Sequence, residues 1–273
     1  MARLLTNATQ QLEKTSTSAV LDAELLLAFC MQKDRSYLLA WTEVTPLAEQ
    51  QTHFQQLVEK RLQGIPIAYL LGTKAFWTLE LIVSPAVLIP RPETEHLVEV
   101  ALEKIRHIPK PKILDLGTGS GAIALALATE RPDANIIAAD ASATALTIAQ
   151  ANKNKYQLDN VQLLLSDWFD AIPIMHFDLI VSNPPYIESN DPHLQGDIHY
   201  EPQQALTSGV DGLDAIRTIV TQAKAYLKPD SFLILEHGYN QGNKVRTLLT
   251  KASFNHVKSV KDYAHIERLS LGS

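Results

Sequence analysis

The segment Asn183-Pro184-Pro185-Tyr186 contains the residue types that could hold a planar amide or amino group. Such a group has two in-plane hydrogens, and the side-chain carbonyl of Asn183 could accept one while the backbone carbonyl of Pro184 accepts the other. Proline has a fixed φ and no N–H, so Pro184 and Pro185 would aim that carbonyl rigidly. Tyr186 could lie against the plane of the group. The segment is therefore predicted to position a nitrogen for substitution, without a metal or a strong general base.

A glycine-rich turn follows one apolar strand pattern and precedes a helix pattern, and its residues are Gly117, Thr118, Gly119, Ser120 and Gly121. Glycine lets the backbone bend sharply and lets a ligand approach it closely, and the helix N-terminus adds free N–H groups. The spacing differs from the Gly-x-Gly-x-x-Gly of dinucleotide sites. Asp115, just before the turn, would repel a pyrophosphate but suits an amino group. The turn therefore favours a cofactor that carries a methionine moiety.

Acidic residues stand at the ends of the next two predicted strands. Asp140 follows Ile136–Ala139, where a carboxylate can accept both hydroxyls of a ribose; the alternative is a helix cap before Ala141. After the third strand, Asp167 could accept from the exocyclic amine of an adenine, and Trp168 could pack against its ring. The alternative for this pair is a surface turn with a buried tryptophan. Together these positions predict a nucleoside beside the glycine turn.

The elements before this region are predicted to be helical. In Ala19–Met31, apolar side chains repeat at helical spacing, with Asp22 and Glu24 off that face. A further helix should begin at Leu47, after Thr45-Pro46, and end near Gln63. Residues 75–88 are instead rich in aromatic and β-branched side chains, which indicates a strand pair.

From residue 93 onwards, helix and strand patterns alternate. Helices are predicted at 93–105, 121–129, 143–154, 214–227 and 241–252, and strands at 112–116, 135–139, 161–165, 177–182 and 231–236. This alternation is typical of a mostly parallel sheet with helices on both faces. We therefore predict an α/β fold with a helical region at 1–72, a β-hairpin linker at 73–92 and a Rossmann-like domain at 93–273.

Composition narrows the class of protein. The formal net charge is -6, which makes broad binding to nucleic-acid phosphates unfavourable. The net charge does not exclude a local cluster of basic residues. The one cysteine, Cys30, allows no intrachain disulfide, and we predict that it is a buried packing residue. No apolar run reaches the roughly 20 residues of a membrane span, and the N-terminus lacks a signal-peptide pattern. We expect a cytoplasmic protein, and the histidines show no metal-ligand spacing.

Over nearly its whole length the chain resembles the PrmC/HemK family of peptide chain release factor glutamine methyltransferases. The resemblance rests on the helical N-terminal region, the glycine turn, the Asn-Pro-Pro-Tyr segment and the stretches Gly64-Ile65-Pro66-Ile67-Ala68-Tyr69-Leu70, Phe76-Trp77, Val83-Ser84-Pro85, Leu88-Ile89-Pro90-Arg91-Pro92-Glu93-Thr94-Glu95, Ser166-Asp167-Trp168-Phe169 and Glu236-His237-Gly238. It implies a five-helix N-terminal domain, a β-hairpin linker and a seven-stranded class I methyltransferase domain.

The resemblance also implies the cofactor and the substrate. The cofactor would be S-adenosyl-L-methionine, contacted at the glycine turn, Asp140, Trp168 and Asn183. The substrate would be the glutamine of the Gly-Gly-Gln motif in bacterial class I release factors, held by Asn183–Tyr186, with the N-terminal domain gripping the body of the factor. We expect a monomer without stable binding to nucleic acid.

Three alternatives stay open. Enzymes that methylate a glutamine of a ribosomal protein resemble this chain in the Asn-Pro-Pro-Tyr segment, but they typically have Pro-Arg-Ser-Pro where this chain has Pro-Arg-Pro-Glu-Thr-Glu. In that stretch, Arg91 and Glu93 are also suited to ion pairs of the linker. DNA or RNA methyltransferases that act on adenine use a similar loop, usually with a basic recognition region. An idle binding module would not need both the glycine turn and Asn-Pro-Pro-Tyr.

Overall fold

The N-terminal part of the protein is helical in the computed structural model, which describes residues 1–194 and 197–273. This first unit comprises Met1–Thr73 and the 3-10 helix Asp197–Tyr200. Its helices are α1 (Ala2–Leu12), α2 (Ala19–Met31), α3 (Arg35–Ala40), α4 (Ala48–Leu62) and α5 (Ile67–Leu71). They enclose an apolar core to which α2 contributes two leucines and the buried thiol of Cys30, as predicted.

The prediction that Asp22 lies off the apolar face of α2 is wrong. Asp22 is buried, with 3% of its surface exposed. Its carboxylate accepts a 2.8 Å hydrogen bond from Arg61 Nε of α4 and hydrogen bonds from the hydroxyls of Ser16 and Ser18. A buried carboxylate needs a cation and hydrogen-bond donors to offset its loss of water. The sequence pattern of α2 alone does not show a partner that stands 39 residues further along the chain.

The second unit contains the hairpin and the α/β region, Lys74–Leu194 and Glu201–Ser273. The hairpin strands are β1 (Thr73–Phe76) and β2 (Leu79–Ile82). The remaining helices are α6 (Glu95–Ile105), α7 (Ala122–Glu130), α8 (Ala143–Tyr156), α9 (Asp214–Ala223) and α10 (Gly242–Lys251). The remaining strands are β3 (Lys112–Leu116), β4 (Asn135–Asp140), β5 (Val161–Leu165), β6 (Phe177–Ser182), β7 (Leu227–Glu236), β8 (Lys258–Lys261) and β9 (Glu267–Gly272).

The larger sheet of this unit has the strand order β5-β4-β3-β6-β7-β9-β8. The strands from β5 to β7 are parallel, whereas β9 runs antiparallel to β7 and to β8. Every residue of β6 is buried, as expected for a parallel strand covered on both faces. Two separate apolar cores lie on the two faces of the sheet. The α/β prediction is therefore confirmed, with the mostly parallel seven-stranded sheet that the family resemblance implied.

Two details of the predicted elements are corrected. Strand β7 begins at Leu227 and not at Ser231, because the helix before it ends at Ala223 and a 3-10 turn takes up Lys224–Tyr226. Strands β8 and β9 were not predicted from the pattern.

Among the described helices, none combines the length and the apolar character needed to cross a bilayer.

Candidate active site

The predicted site residues gather at one edge of the sheet, where the parallel strands end. Leu116, the last residue of β3, pairs with Ala139 of β4 on one side and with Ser182 of β6 on the other. Ser182 in turn pairs with Leu235 of β7. Because parallel strands end at the same edge, the residues that follow them are brought together although they are distant in sequence. This edge carries the glycine turn, Asp140, the Asp167-Trp168 pair, Asn183 and Glu236.

A cavity of about 270 Å³ opens at this edge of the sheet. The predicted site residues that line it are Gly117, Gly119, Asp140, Asp167, Trp168, Asn183 and Pro185. The cavity is also lined by two segments that sequence reasoning missed, Ala86–Leu88 and Pro202 with Gln204 and Ala205. The lining residues of these segments carry no charge, and only Leu88 was noted earlier, as the first residue of a longer stretch, so it is the fold that brings them to the cavity.

The other predicted residues of the glycine turn lie behind the cavity wall. Asp115 is fully buried, and its Oδ2 accepts a 2.6 Å hydrogen bond from the hydroxyl of Thr118. Burial raises the pKa of Asp115 to about 7. The backbone carbonyl of Ser120 accepts from Asn152 Nδ2 of α8. Gly121 has a φ of +86° and is the N-cap of α7. These residues therefore hold the shape of the turn and do not line the cavity.

Asp140 supports the turn and faces the cavity at the same time. Its Oδ2 accepts a 2.8 Å hydrogen bond from Gly119 N, and its Oδ1 accepts one of 2.9 Å from Ser142 N. It is not the cap of α8, because Ser142 is that cap and accepts from Ala145 N. Each carboxylate oxygen can accept more than one donor, so Asp140 retains acceptor capacity toward the cavity. Partial burial raises the pKa of Asp140.

Trp168 forms one side wall of the cavity. Its φ is +44°, in the left-handed region, and this backbone turn directs the indole toward the backbone of Gly117. A Cβ on Gly117 would lie 3.7 Å from the ring, so the glycine and the indole are in van der Waals distance of one another. An aromatic wall beside a carboxylate at a strand end fits a nucleoside, since the ring can pack on a base while the carboxylate accepts from a ribose.

The Asn-Pro-Pro-Tyr loop is fixed from behind by hydrogen bonds to its far end. Gln241 Nε2 donates to the carbonyl oxygen of Tyr186 at 2.9 Å. Gly212 lies so close that a Cβ there would be 2.3 Å from the same oxygen, and its φ of +71° also favours glycine. Ile187 then forms a parallel bridge with Thr207. The loop is therefore held rigidly. A loop that must keep its carbonyl oxygens in a fixed direction needs such support.

The side chains of the loop belong to a hydrogen-bonded set with two buried residues from elsewhere in the chain. Asn183 Nδ2 donates to Thr94 Oγ1 at 3.2 Å, and the Thr94 hydroxyl donates to Glu236 Oε2 at 2.7 Å. The Tyr186 hydroxyl donates to Glu236 Oε1 at 3.3 Å. Burial raises the pKa of Glu236 to about 7 and raises that of Tyr186 as well. Among the described residues, no donor is hydrogen-bonded to Asn183 Oδ1 or to the Pro184 carbonyl oxygen.

Sequence reasoning did not assign a role to Thr94 or Glu236. The two residues were noted only as parts of longer stretches, and 142 positions separate them. A local signal was present for Glu236, since it is an acidic residue at the end of a strand, as Asp140 is at the end of β4. Nothing comparable marks Thr94, which lies at the end of the 3-10 helix Pro92–Thr94.

Of the two residues for which linker ion pairs stayed open as an alternative, Arg91 forms one and Glu93 forms none with a described residue. Its guanidinium contacts Glu201 Oε1 at 2.5 Å, and Glu201 Oε2 accepts from the backbone of Ile89 at 2.9 Å. This buried carboxylate joins the two segments that line the cavity without being predicted. In the described part of the chain, Glu93 has no ion pair, and no group of three or more histidine, cysteine, aspartate or glutamate side chains is placed to hold a metal ion.

Two family models match the chain. The model described as the PrmC N-terminal domain matches residues 3–72, and the model described as the methyltransferase small domain matches residues 94–211. Together they cover the helical unit and much of the α/β unit, including the glycine turn and the Asn-Pro-Pro-Tyr loop.

Relatives that match the chain over nearly its whole length are identical to it at about half of the aligned positions. A release factor glutamine methyltransferase of Xylella fastidiosa strain 9a5c is 48% identical over 98% of this chain and 96% of its own length. The protein of that description from Yersinia pestis is 50% identical over 94% of this chain and 93% of its own length. Among solved structures, a 16S rRNA methyltransferase of T. thermophilus in complex with AdoMet and guanosine has a TM-score of 0.55 and 22% identity over 74% of this chain and 49% of its own. That last likeness concerns the fold alone.

Proposed function

Because the chain belongs to the family of release factor glutamine methyltransferases, we propose that it methylates the side-chain amide nitrogen of the glutamine in the Gly-Gly-Gln motif of bacterial class I release factors. The observation that carries this function is the orientation of the Asn183 amide. Its Nδ2 is engaged by Thr94, while Oδ1 and the Pro184 carbonyl oxygen have no donor among the described residues. Those two acceptors match the two hydrogens of a primary amide.

The enzyme is an S-adenosyl-L-methionine-dependent methyltransferase, and the cavity beside the glycine turn fits that cofactor. Asp140 would accept from the ribose, Trp168 and Asp167 would hold the adenine, and Gly117 and Gly119 would let the cofactor approach the backbone. When bound, the cofactor supplies a methyl group on a positively charged sulfur. Asp115 is too deeply buried to line the cavity, so we assign it to the support of the turn through Thr118.

The loop residues would prepare a poor nucleophile for attack. The nitrogen of an amide has a delocalised lone pair, so it must be held in line with the methyl group and allowed to become pyramidal. Asn183 Oδ1 and the Pro184 carbonyl would hold both N–H groups in the plane of the amide, and the fixed φ of the two prolines keeps the Pro184 carbonyl still. As the bond between the amide nitrogen and the methyl carbon forms and the carbon–sulfur bond of the cofactor breaks, the two acceptors would stabilise the positive charge that develops on the nitrogen. One of the two protons of that nitrogen would then be released to solvent.

The partners follow from the proposed substrate. The release factor would be bound as a protein, and we assign the grip on its body to the helical unit of residues 1–73. We further propose a monomer that acts in the cytoplasm, where release factors work, and that has no stable complex with nucleic acid. The net charge of -6 supports the last point.

A transfer assay with labelled S-adenosylmethionine tests the substrate. Unmodified release factor, its Gly-Gly-Gln→Gly-Gly-Ala variant, ribosomal protein and unmethylated DNA are offered separately. We expect label on the wild-type release factor only. Label on ribosomal protein or on DNA, with none on the release factor, would replace the proposed substrate by that one.

The variant Asn183→Ala tests the role of the loop. It removes one of the two acceptors for the substrate amide, so kcat should fall by about a hundred-fold or more. The affinity for S-adenosylmethionine, measured by calorimetry, should change little because Asp140, Trp168 and the glycine turn are untouched. A kcat near that of the wild type would refute the positioning role of Asn183.

A further inference from the structure

A short polar relay, defined here as Asn183, Thr94 and Glu236, lies behind the acceptor loop. Its three residues come from the loop after β6, the 3-10 helix before α6 and the end of β7. Thr94 and Glu236 are buried, with 4% and 3% of their surfaces exposed. Among the described residues, no lysine, arginine or histidine forms an ion pair with Glu236, although the charge of Arg268 is near enough to lower its pKa.

The direction of each hydrogen bond in the relay is set by Glu236, the residue at its far end. An ionised Glu236 can only accept, so the Thr94 hydroxyl must donate its one hydrogen to Glu236 Oε2. The Thr94 oxygen is then left with lone pairs only and must accept from its other neighbour. The atom of Asn183 that faces Thr94 is consequently Nδ2, and Oδ1 is turned to the other side.

We propose that Thr94 and Glu236 are positioning residues of this enzyme, which fix the Asn183 amide in the one orientation that presents Oδ1 to the substrate nitrogen. This inference rests on the proposed function, because the substrate is taken to be a primary amide. Without the relay, the Asn183 amide could rotate by half a turn at little steric cost. Its Nδ2 would then face the substrate and would attract the amide oxygen in place of the nitrogen.

The relay therefore sets which atom of the substrate amide faces the methyl group. The Tyr186 hydroxyl supports the same arrangement, because it donates to Glu236 Oε1 and leaves Oε2 to Thr94. Burial of a carboxylate with only two donors and no ion pair is unfavourable for folding. A glutamine at this position would fill the same space without a charge, but its amide could offer Thr94 a donor and so lose the fixed direction.

Three variants of the relay test the proposal with purified enzyme and release factor. Thr94→Val removes the hydroxyl, Thr94→Ser keeps it, and Glu236→Gln removes the obligatory acceptor. We expect kcat to fall by about ten- to a hundred-fold for Thr94→Val and Glu236→Gln, as for other losses of alignment at a reacting group. Thr94→Ser should recover most of that loss. The affinity for S-adenosylmethionine should stay within about two-fold of the wild type in all three, since the ribose and adenine contacts are separate.

A double variant separates positioning from a general loss of structure. If Thr94 acts only through Asn183, then Thr94→Val combined with Asn183→Ala should be no slower than Asn183→Ala alone, because residues that act as a unit are not additive. Additive losses, or a Thr94→Val enzyme with the kcat of the wild type, would overturn the proposal.

The matched control is Asp178→Asn, which changes a buried carboxylate at the opposite end of β6, where it pairs with Lys228. Its kcat should equal that of the wild type once both proteins are folded at the assay temperature. A loss as large as that of Glu236→Gln would mean that kcat reports stability, and the relay would lose its support. Failure of the wild-type enzyme to methylate release factor would instead refute the proposed function, whatever the variants do.

Discussion

Asp140 has two tasks at the level of the single residue. Its oxygens accept from Gly119 N and Ser142 N, so the carboxylate joins the glycine turn to the start of α8. The same side chain lines the cavity, where we assign it to the ribose hydroxyls. A carboxylate that is already held by two backbone donors does not need to be ordered when the cofactor binds. This lowers the entropic cost of cofactor binding.

The variant Asp140→Ala should therefore lose cofactor affinity by two routes, the missing acceptor for the ribose and a less ordered turn. Hydrogen bonds to a charged group contribute about 1.5–3 kcal/mol each, so we expect the Kd for S-adenosylmethionine to rise by roughly ten- to a hundred-fold or more. Calorimetry measures it directly. Asp133→Ala is the control, because that carboxylate precedes β4 at the other end of the strand and accepts from Arg131. Equal affinities for wild type and Asp140→Ala would remove the ribose role.

The residues that sequence could identify are those whose signal is local. Gly117, Asp140 and Asn183 each follow an apolar strand within a short readable pattern, and the structure places all three on one cavity. Thr94 and Glu236 differ, because their relation to Asn183 depends on strand order. Only the adjacency of β6 and β7, with Ser182 opposite Leu235, brings Glu236 next to the loop. A hydroxyl in a proline-rich linker has no pattern of its own.

At the level of elements, strands and helices with a strong period were predicted within a few residues, and the weak ones were missed. The parallel strands from β3 to β6 are predominantly apolar. Strand β8 instead has the sequence Lys258-Ser259-Val260-Lys261, at the edge of the sheet with two exposed lysines. Charged residues are common on edge strands, where they oppose pairing with a second chain. The features that protect such an edge also hide it from a search for hydrophobic patterns.

Helix α2 shows the opposite difficulty, because it is apolar on nearly all sides and its one buried charge was interpreted as exposed. The pair of Asp22 with Arg61 joins α2 to α4. Removal of Asp22 would take away the carboxylate that faces the buried guanidinium of Arg61. Such losses cost about 3–5 kcal/mol. We therefore expect Asp22→Ala to destabilise the helical unit strongly, which hydrogen exchange of the amides in α2 and α4 would measure.

The control for this prediction lies in the same helix. Glu24 pairs with Arg35 at 2.5 Å, but the arginine is 47% exposed. Ion pairs of this exposed kind contribute about 1 kcal/mol or less. Glu24→Ala should therefore leave the exchange of α2 amides almost unchanged, and cofactor affinity should be that of the wild type in both variants. If Asp22→Ala and Glu24→Ala had equal effects, the buried pair would not be the main connection between α2 and α4.

At the level of the whole molecule, the carboxylates fall into two groups with opposite effects on the pH dependence of folding. Partly exposed ones beside arginines, such as Asp211 and Glu267, have lowered pKa values, so their stabilising effect is lost only as the pH falls through those values. Asp115 and Glu236 are buried, and burial raises the pKa of each to about 7. Their contribution to stability is therefore present below their unfolded pKa values and is lost as the pH rises toward 7.

Glu236→Gln should consequently change the pH dependence of folding in a defined direction. The charges that face Glu236 are Arg268, which lowers its pKa, and Glu93, which raises it, but burial dominates. Relative to the wild type, the variant should gain stability between pH 5 and pH 8, by on the order of 3 kcal/mol at most. The free energies of unfolding in urea, measured for both proteins at pH 5 and pH 8, give this difference. Subtracting the wild-type value from that of the variant cancels the effect of groups common to both, such as His237, whose pKa is lowered by burial and which acts in the opposite direction.

The same variant is expected to be slower in methyl transfer, so stability and turnover should move in opposite directions at pH 8. That combination is the mark of a group retained for its chemistry, because a residue retained for folding would lose both.

Below pH 7 the wild-type relay should also weaken. A protonated Glu236 can donate to Thr94, which frees the hydroxyl to face Asn183 Oδ1 and permits the other amide orientation. The kcat of the wild type should therefore fall with acid through this pKa, while that of Glu236→Gln stays low and flat. Parallel profiles for the two proteins, or a stability difference that is constant from pH 5 to pH 8, would show that Glu236 does not titrate in this range.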